Sequence, residues 1–180
     1  MASWGQFVTA APRLATQVRV LFEQYGRGFG YLATVRADGG PRVHPVSPVF
    51  TGSGLFVFVI RSPKQRDLRR DGRYALHSFP AEESDLEAYL AGRALPVTEP
   101  SRVGAVAAQV GAGVQVDWRL FELTVEVAAT GSPGRRHQVW RQPRTGGGTY
   151  RVPGVHAPAP AGKMKPIAGV VQWQNISFPS

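Results

Sequence analysis

The 180-residue chain contains no cysteine. That excludes a disulfide framework, zinc–thiolate and iron–sulfur sites, and a thiol nucleophile. No apolar run approaches the roughly 20 residues that span a bilayer, so no membrane segment is expected. The opening Met1-Ala2-Ser3-Trp4-Gly5-Gln6 lacks the basic-then-apolar pattern of a secretory leader, and a soluble cytoplasmic protein is the expectation. His77, His137 and His156 are scattered, with neither a carboxylate nor a second histidine at metal-ligand spacing; no metal site is expected. Ser47, Ser53, Ser62 and Ser78 lack a nucleophile-elbow context, so a hydrolase triad has no support. The glycines form neither a strand–GxGxxG–helix unit nor a P-loop.

Acid is also missing from one end. Residues 131–180 hold 7 Lys/Arg and no Asp/Glu, whereas residues 1–130 hold 14 against 12. The formal net charge of +9 therefore sits mostly in the last fifty residues, which are rich in Gly, Pro and Arg. A body this nearly balanced, without a recognised nucleic-acid motif, argues against a nucleic-acid partner. The shift in composition after Thr130 divides the chain into a domain over 1–130 and a basic extension over 131–180. Short strands over 137–141 and 168–173 remain open within that extension.

The chain does have enough apolar residues for a core, 43% of the total. Leu14, Val18, Leu21, Phe22 and Tyr25 recur at helical spacing, so a helix is predicted over 12–25 with Gly26 as its stop. The period then changes. Residues 31–36 read as a strand, Asp38-Gly39-Gly40-Pro41 as a turn, and 42–50 as a second strand. Pro45 and Pro48 cannot donate to a ladder, which confines that strand to an edge or a bulge. Leu55 to Ile60 is apolar at every position, as in a strand buried on both faces, and the three strands read as an antiparallel meander.

A helix over 63–70, a strand over 73–79, an acidic loop at Glu82-Glu83-Ser84-Asp85, a strand over 86–94 whose Leu/Ala content also allows a helix, and a small-residue helix from Pro100 to Val110 follow. Residues 118–128 alternate, with Phe121, Leu123, Val125 and Val127 facing one way and Glu122, Thr124 and Glu126 the other. Six strands with few helices indicate a mainly β, α+β architecture: an antiparallel barrel with flanking helices.

The densest chemistry lies at Arg61-Ser62-Pro63-Lys64-Gln65. Ser at the N-cap, Pro at N1 and Gln at N3 spell a capping box directly after the buried strand. The free amides and positive dipole end of such a helix suit an anion. Lys64 adds a cation where helices favour acids, and Arg61, Arg66, Arg69 and Arg70 deepen the potential. An ordinary capped helix with a basic solvent face accounts for the same residues. Arg42 and His44 stand two apart on the preceding strand and so share a face. Arginine grips phosphate through two parallel hydrogen bonds, although a strand-end arginine in solvent and a histidine packed against a neighbour account for the same pair.

The run Gly30-Tyr31-Leu32-Ala33-Thr34-Val35-Arg36-Ala37-Asp38-Gly39-Gly40-Pro41-Arg42-Val43-His44-Pro45-Val46 resembles the pyridoxamine 5′-phosphate oxidase-like family. These are split β-barrels that bind flavin mononucleotide (FMN) or the deazaflavin F420. The likeness continues through strand, Ser-x-Lys, short helix, Asp, and a strand ending Ala75-Leu76-His77-Ser78, and covers about residues 12–128. It implies a split barrel of about six strands and a homodimer with flavin at the subunit interface. It implies phosphate held by Arg42, Ser62, Lys64 and Gln65, and a ring system along the backbone of Val59, Ile60 and Arg61. His44 is the side chain it offers near the ring. The usual Ser-Arg-Lys reads Ser62-Pro63-Lys64 here, so one basic contact is missing. The implied activity is that of a flavin-dependent oxidoreductase acting on a small organic acceptor. An F420-dependent reductase and a non-catalytic, stress-related flavin module are the alternatives.

Overall fold

Gly39 takes φ +84°, the left-handed conformation that its turn requires, and Gly26 takes φ +88° just beyond the first predicted helix. The computed structural model describes residues 1–79, 85–110, 118–132 and 138–143. Helix α1 (Trp4–Ala10) precedes α2 (Pro12–Glu23), and strands β1 (Gly30–Val35), β2 (Pro41–Val46), β3 (Pro48–Phe50) and β4 (Leu55–Val59) follow. Helix α3 (Pro63–Arg70) leads into β5 (Arg73–Ser78) and β6 (Glu87–Val97). Helix α4 (Pro100–Val110), β7 (Arg119–Leu123), β8 (Val127–Gly131) and β9 (Gln138–Arg141) complete the described elements.

All pairings are antiparallel. The strand order is β2-β1-β5-β6-β7-β4-β3, with β8 beside β6 and β9 beside β8. The two ends of that order, β2 and β3, are one stretch of chain interrupted only at Ser47. The sheet therefore curls round on itself as an α+β split barrel. The predicted strand over 42–50 is this stretch: its first half pairs with β1 and its second with β4. Both prolines thus sit on end strands of the ladder, as their missing N–H groups demand. The expected meander is accordingly split between two sheets, and the second neighbour of β1 is β5.

Strand β4 is buried on both faces. Leu55, Val57 and Val59 enter the main core, while Phe56 packs with Val106 of α4 and Leu120. Trp4, Phe7, Phe22 and Phe50 close one end of the core, with Trp4 and Phe50 edge to face at 4.8 Å. Helix α1 went unpredicted although Ser3 and Gln6 announce it. Gln6 N–H donates to Ser3 Oγ at 3.2 Å, and Ser3 N–H donates to Gln6 Oε1 at 2.8 Å, a complete capping box.

The predicted strand over 118–128 divides. Thr124 and Glu126 cross over β6 at Gly92, where Thr124 Oγ1 donates to the Arg93 carbonyl at 3.0 Å. Glu126 N–H donates to the Ala91 carbonyl at 2.8 Å. The crossing buries Thr124 and leaves Val127 half-buried, contrary to strict alternation. A Cβ on Gly92 would lie 2.0 Å from the Thr124 carbonyl oxygen. Glu82, Glu83, Gly111, Gly113, His137, His156 and residues 168–173 lie outside the described residues; β9 occupies the other segment that was left open as a strand.

Substituting Gly92→Ala should therefore destabilise the fold by about 1–3 kcal/mol, the usual range for forced overpacking. Urea unfolding measures this, and an unchanged midpoint would mean that the crossing relaxes freely.

Candidate functional site

The end of β4 and the start of α3 are tied by side chains. Ser62 Oγ accepts from Gln65 N–H at 3.4 Å and donates to the Ile60 carbonyl at 2.9 Å. Gln65 does not close the predicted capping box. Its side chain turns inward, is buried, and donates from Nε2 to the Val59 carbonyl at 2.8 Å. The carbonyls of Val59 and Ile60 are thus engaged by α3 itself, while Ile60 and Arg61 are exposed.

Lys64 Nζ reaches the Pro45 carbonyl at 3.4 Å, and partial burial holds its pKa below the ordinary lysine value. One turn further along the helix, Arg42 Nε donates to Asp67 Oδ2 at 2.8 Å. Helix α3 therefore runs along β2, with residue 64 beside 45 and residue 67 beside 42. The structure brings Arg42 and Lys64 to the same helix, but on successive turns rather than at one point.

Asp67 was not singled out from the sequence, and it organises the site. Its side chain is 5% exposed. Oδ2 accepts from Thr34 Oγ1 at 3.1 Å as well as from Arg42, and Oδ1 accepts from Arg70 Nη1 at 3.2 Å. Arg70 also donates from Nη2 to the Val35 carbonyl. Burial alone would raise the Asp67 carboxyl, but the hydrogen bonds from Arg42, Arg70 and Thr34 outweigh it and hold the group below the usual carboxylate range. Nearby Asp71, clamped by the Arg73 guanidinium, is held at about 2.

Between the β1–β2 turn and α3 lies an open cleft of about 350 Å³, lined by Arg36, Asp38, Arg42, Arg66, Asp67 and Arg70 among others. Four guanidiniums there face two carboxylates. Arg36 is paired with Asp38 at 2.5 Å, and Asp67 serves both Arg42 and Arg70. Arg66 has no ion-pair partner among the described residues, and Arg42 uses only its Nε, leaving its terminal amino groups unengaged there. Sequence reasoning named Arg66 only as background potential.

Arg42 lies opposite Thr34 and His44 opposite Leu32 in the β1–β2 register. Both share the inner face of β2, as expected. His44 Nε2 is buried and has no hydrogen-bond partner among the described residues. Trp118 packs beside Phe58 and Trp140 beside Phe7, whereas Trp173 lies outside the described residues.

The opposite face of the same sheet carries two largely apolar rows, with His77, Glu87, Arg73, Arg93 and Arg141 around and among them. Register aligns Pro45, Tyr31, His77, Tyr89, Ala129 and Val139 in one cross-strand row. Val43, Ala33, Ala75, Ala91, Val127 and Arg141 form the next. Val43 and Val139 are more than half exposed.

Neither a family profile nor a curated protein matches the chain. Solved structures do. A NimC/NimA family protein from Clostridium acetobutylicum superposes with a TM-score of 0.57 at 18% identity, over 72% of this chain and 96% of that one. A C. acetobutylicum protein related to general stress protein 26 of B. subtilis (pyridoxinephosphate oxidase family) gives 0.54 at 10% identity, over 76% and 95%. A heme-binding protein from Mycobacterium smegmatis gives 0.55 at 21% identity, over 69% of this chain; the match spans only 57% of that protein's length. These likenesses, each at 21% identity or less, show that the chain shares its split-barrel fold with proteins that include one of the pyridoxinephosphate oxidase family. No helix among the described residues is long and apolar enough to cross a membrane.

Because Asp67 titrates lower in the folded chain than unfolded, it stabilises the fold above its unfolded value of about 3.9. That contribution disappears as pH falls through the lower folded value. Unfolding free energy should therefore decline as the protein is acidified below about pH 4, and Asp67→Asn should flatten the decline. Identical slopes for the two proteins would show that Asp67 is not the group responsible.

Proposed function

We propose that this chain binds flavin mononucleotide with its phosphate in the arginine-lined cleft beside α3, and acts as an oxidoreductase on a small organic acceptor. One observation carries the reading: Arg42 is anchored through Nε, and its two terminal amino groups have no partner among the described residues. That is the fork geometry that recognises phosphate. Arg66 supplies an uncompensated cation on the same cleft, and Lys64 a second on the adjoining turn. A cleft of about 350 Å³ suits the phosphate end of the molecule, with the ring outside it near Val59, Ile60 and Arg61. The flavin, when bound, supplies the hydride and electron chemistry, and the chain supplies binding, orientation and electrostatics. F420 carries its phosphate as a diester with a single charge, which the same arginines could also meet. A non-catalytic flavin module would use the same grip without turnover.

The largely apolar outer face of the sheet supports a homodimer as part of this reading. Two rows made mostly of Ala, Val, Tyr and Pro, broken by His77 in the first and ending on Arg141 in the second, are more than scattered surface apolar residues, and a second copy of the chain would cover them. Small Ala33, Ala75 and Ala91 at the centre leave the face flat enough for close approach.

A second reading is heme. His44 Nε2 is a buried nitrogen without a partner, imidazole is a common axial ligand, and one structural neighbour is described as heme-binding. Hemin titration decides it: a Soret shift absent from His44→Ala supports heme, and no shift in the wild type removes it.

Titration with FMN and F420, followed by fluorescence, should show saturable binding; none with either overturns the leading reading. Arg42→Ala should weaken binding by about 1.5–3 kcal/mol, the worth of a hydrogen bond to a charged group. Reduction of the bound flavin by NADH or NADPH and its reoxidation by acceptors would mark an enzyme, and their absence a non-catalytic module. Ala75→Arg should convert a dimer to a monomer in light scattering, and an unchanged mass would place any interface elsewhere.

A further inference from the structure

We propose that Asp67 is a positioning residue that aims the Arg42 guanidinium and thereby gives the site its preference for a phosphorylated flavin over the dephosphorylated molecule. This rests on the cleft being the phosphate site. An acid inside an anion site is electrostatically wrong by itself. It repels the ligand, so its presence needs a reason beyond charge.

Geometry gives one. Asp67 is fixed from three elements at once: Thr34 on β1, Arg42 on β2 and Arg70 on its own helix. Arg70 is itself tied to the Val35 carbonyl, so both carboxylate oxygens are held and the plane of the group is set. Arg42 meets this fixed acceptor through Nε alone. Its guanidinium is planar, so anchoring Nε on a fixed oxygen restricts the directions open to the two terminal amino groups. Without the anchor, the arginine is a long side chain on an end strand with many rotamers, and a phosphate must order it on arrival. Two roles for Asp67 therefore predict opposite signs. If it acts only as a nearby negative charge, removing that charge tightens anion binding. If it positions Arg42, removing it weakens phosphate binding and leaves the unphosphorylated ligand unaffected.

The test uses the full chain with FMN and riboflavin, dissociation constants being read from flavin fluorescence at one ionic strength. The wild type should prefer FMN. Asp67→Asn should weaken FMN by about tenfold or more, the size of effect that losing an orienting partner has on metal ligands, with the riboflavin constant unchanged. Thr34→Val removes one of the bonds that orient the carboxylate and keeps its charge; it should reduce the preference in part, and Thr34→Ser should restore it. Thermal melts establish that each variant is folded, and if Asp67→Asn is not, the Thr34 pair decides. FMN binding that is unchanged or tighter in Asp67→Asn, with the wild-type preference intact, overturns the positioning role. So does a Thr34→Val preference equal to wild type. A wild type that binds both flavins equally overturns the phosphate reading itself.

Discussion

The buried carboxylate of Asp67 joins the three elements on which the site depends. Strands β1 and β2 form a hairpin, and α3 arrives only after the chain has crossed to the other sheet and back. Apolar packing holds α3 through little more than Leu68, since the helix also buries Gln65 and Asp67. Polar anchors therefore set its position: Gln65 on the Val59 carbonyl at its start, and Asp67 on Thr34 and Arg42 in its middle. A buried acid is costly when alone, and here three donors compensate it. Two of them are arginines that remain partly in water, which reduces their own desolvation.

This anchoring explains a charge pattern that is otherwise unfavourable. Helix α3 carries Lys64 and Arg66 near its N-terminal end, where the helix dipole is itself positive. No acid sits in the first turn to offset them. Arg69 and Arg70, by contrast, sit in the last turn, where cations are favourable. The helix is thus polarised into an end whose cations suit its dipole and an end whose cations do not. The proposed anion lies in a cleft that Pro63 and Arg66 of the mismatched end line together with Arg70, and there it would relieve part of the conflict.

Much of the fold was legible because its signals are local. Pro45 and Pro48 placed their strand at an end of the ladder, the unbroken apolar run 55–60 gave a strand buried on both faces, and Gly39 gave the turn. The division at Ser47 was not legible. Nothing in the run 42–50 says that its two halves have different partners, because that depends on β5, far along the chain, pairing with β1. The crossing of Thr124 over Gly92 escaped for the same reason: alternation along 118–128 is a one-strand signal, and the bend is imposed by β6.

The candidate site divides along the same line. Arg42 was named because the family resemblance assigns it a phosphate contact, and its place opposite Thr34 emerges only in the register of β1 and β2. Ser62 and Gln65 were read as one motif, yet identical local spelling at Ser3–Gln6 closes a full capping box while Ser62–Gln65 closes half. The difference is tertiary. Gln6 sits on an exposed helix end with nothing better to bond, whereas Gln65 faces the interior, where the last carbonyl of β4 needs a donor. A buried carbonyl left without a partner costs more than an exposed cap contributes, so the side chain turns inward. Asp67 followed the same rule and was missed for the same cause: in sequence it is one acid among five cations, and only the fold places it between them. A basic helix start alone is therefore a weak guide to an anion site. The stronger guide is an arginine whose position is fixed by a buried acid and whose remaining donors are unused.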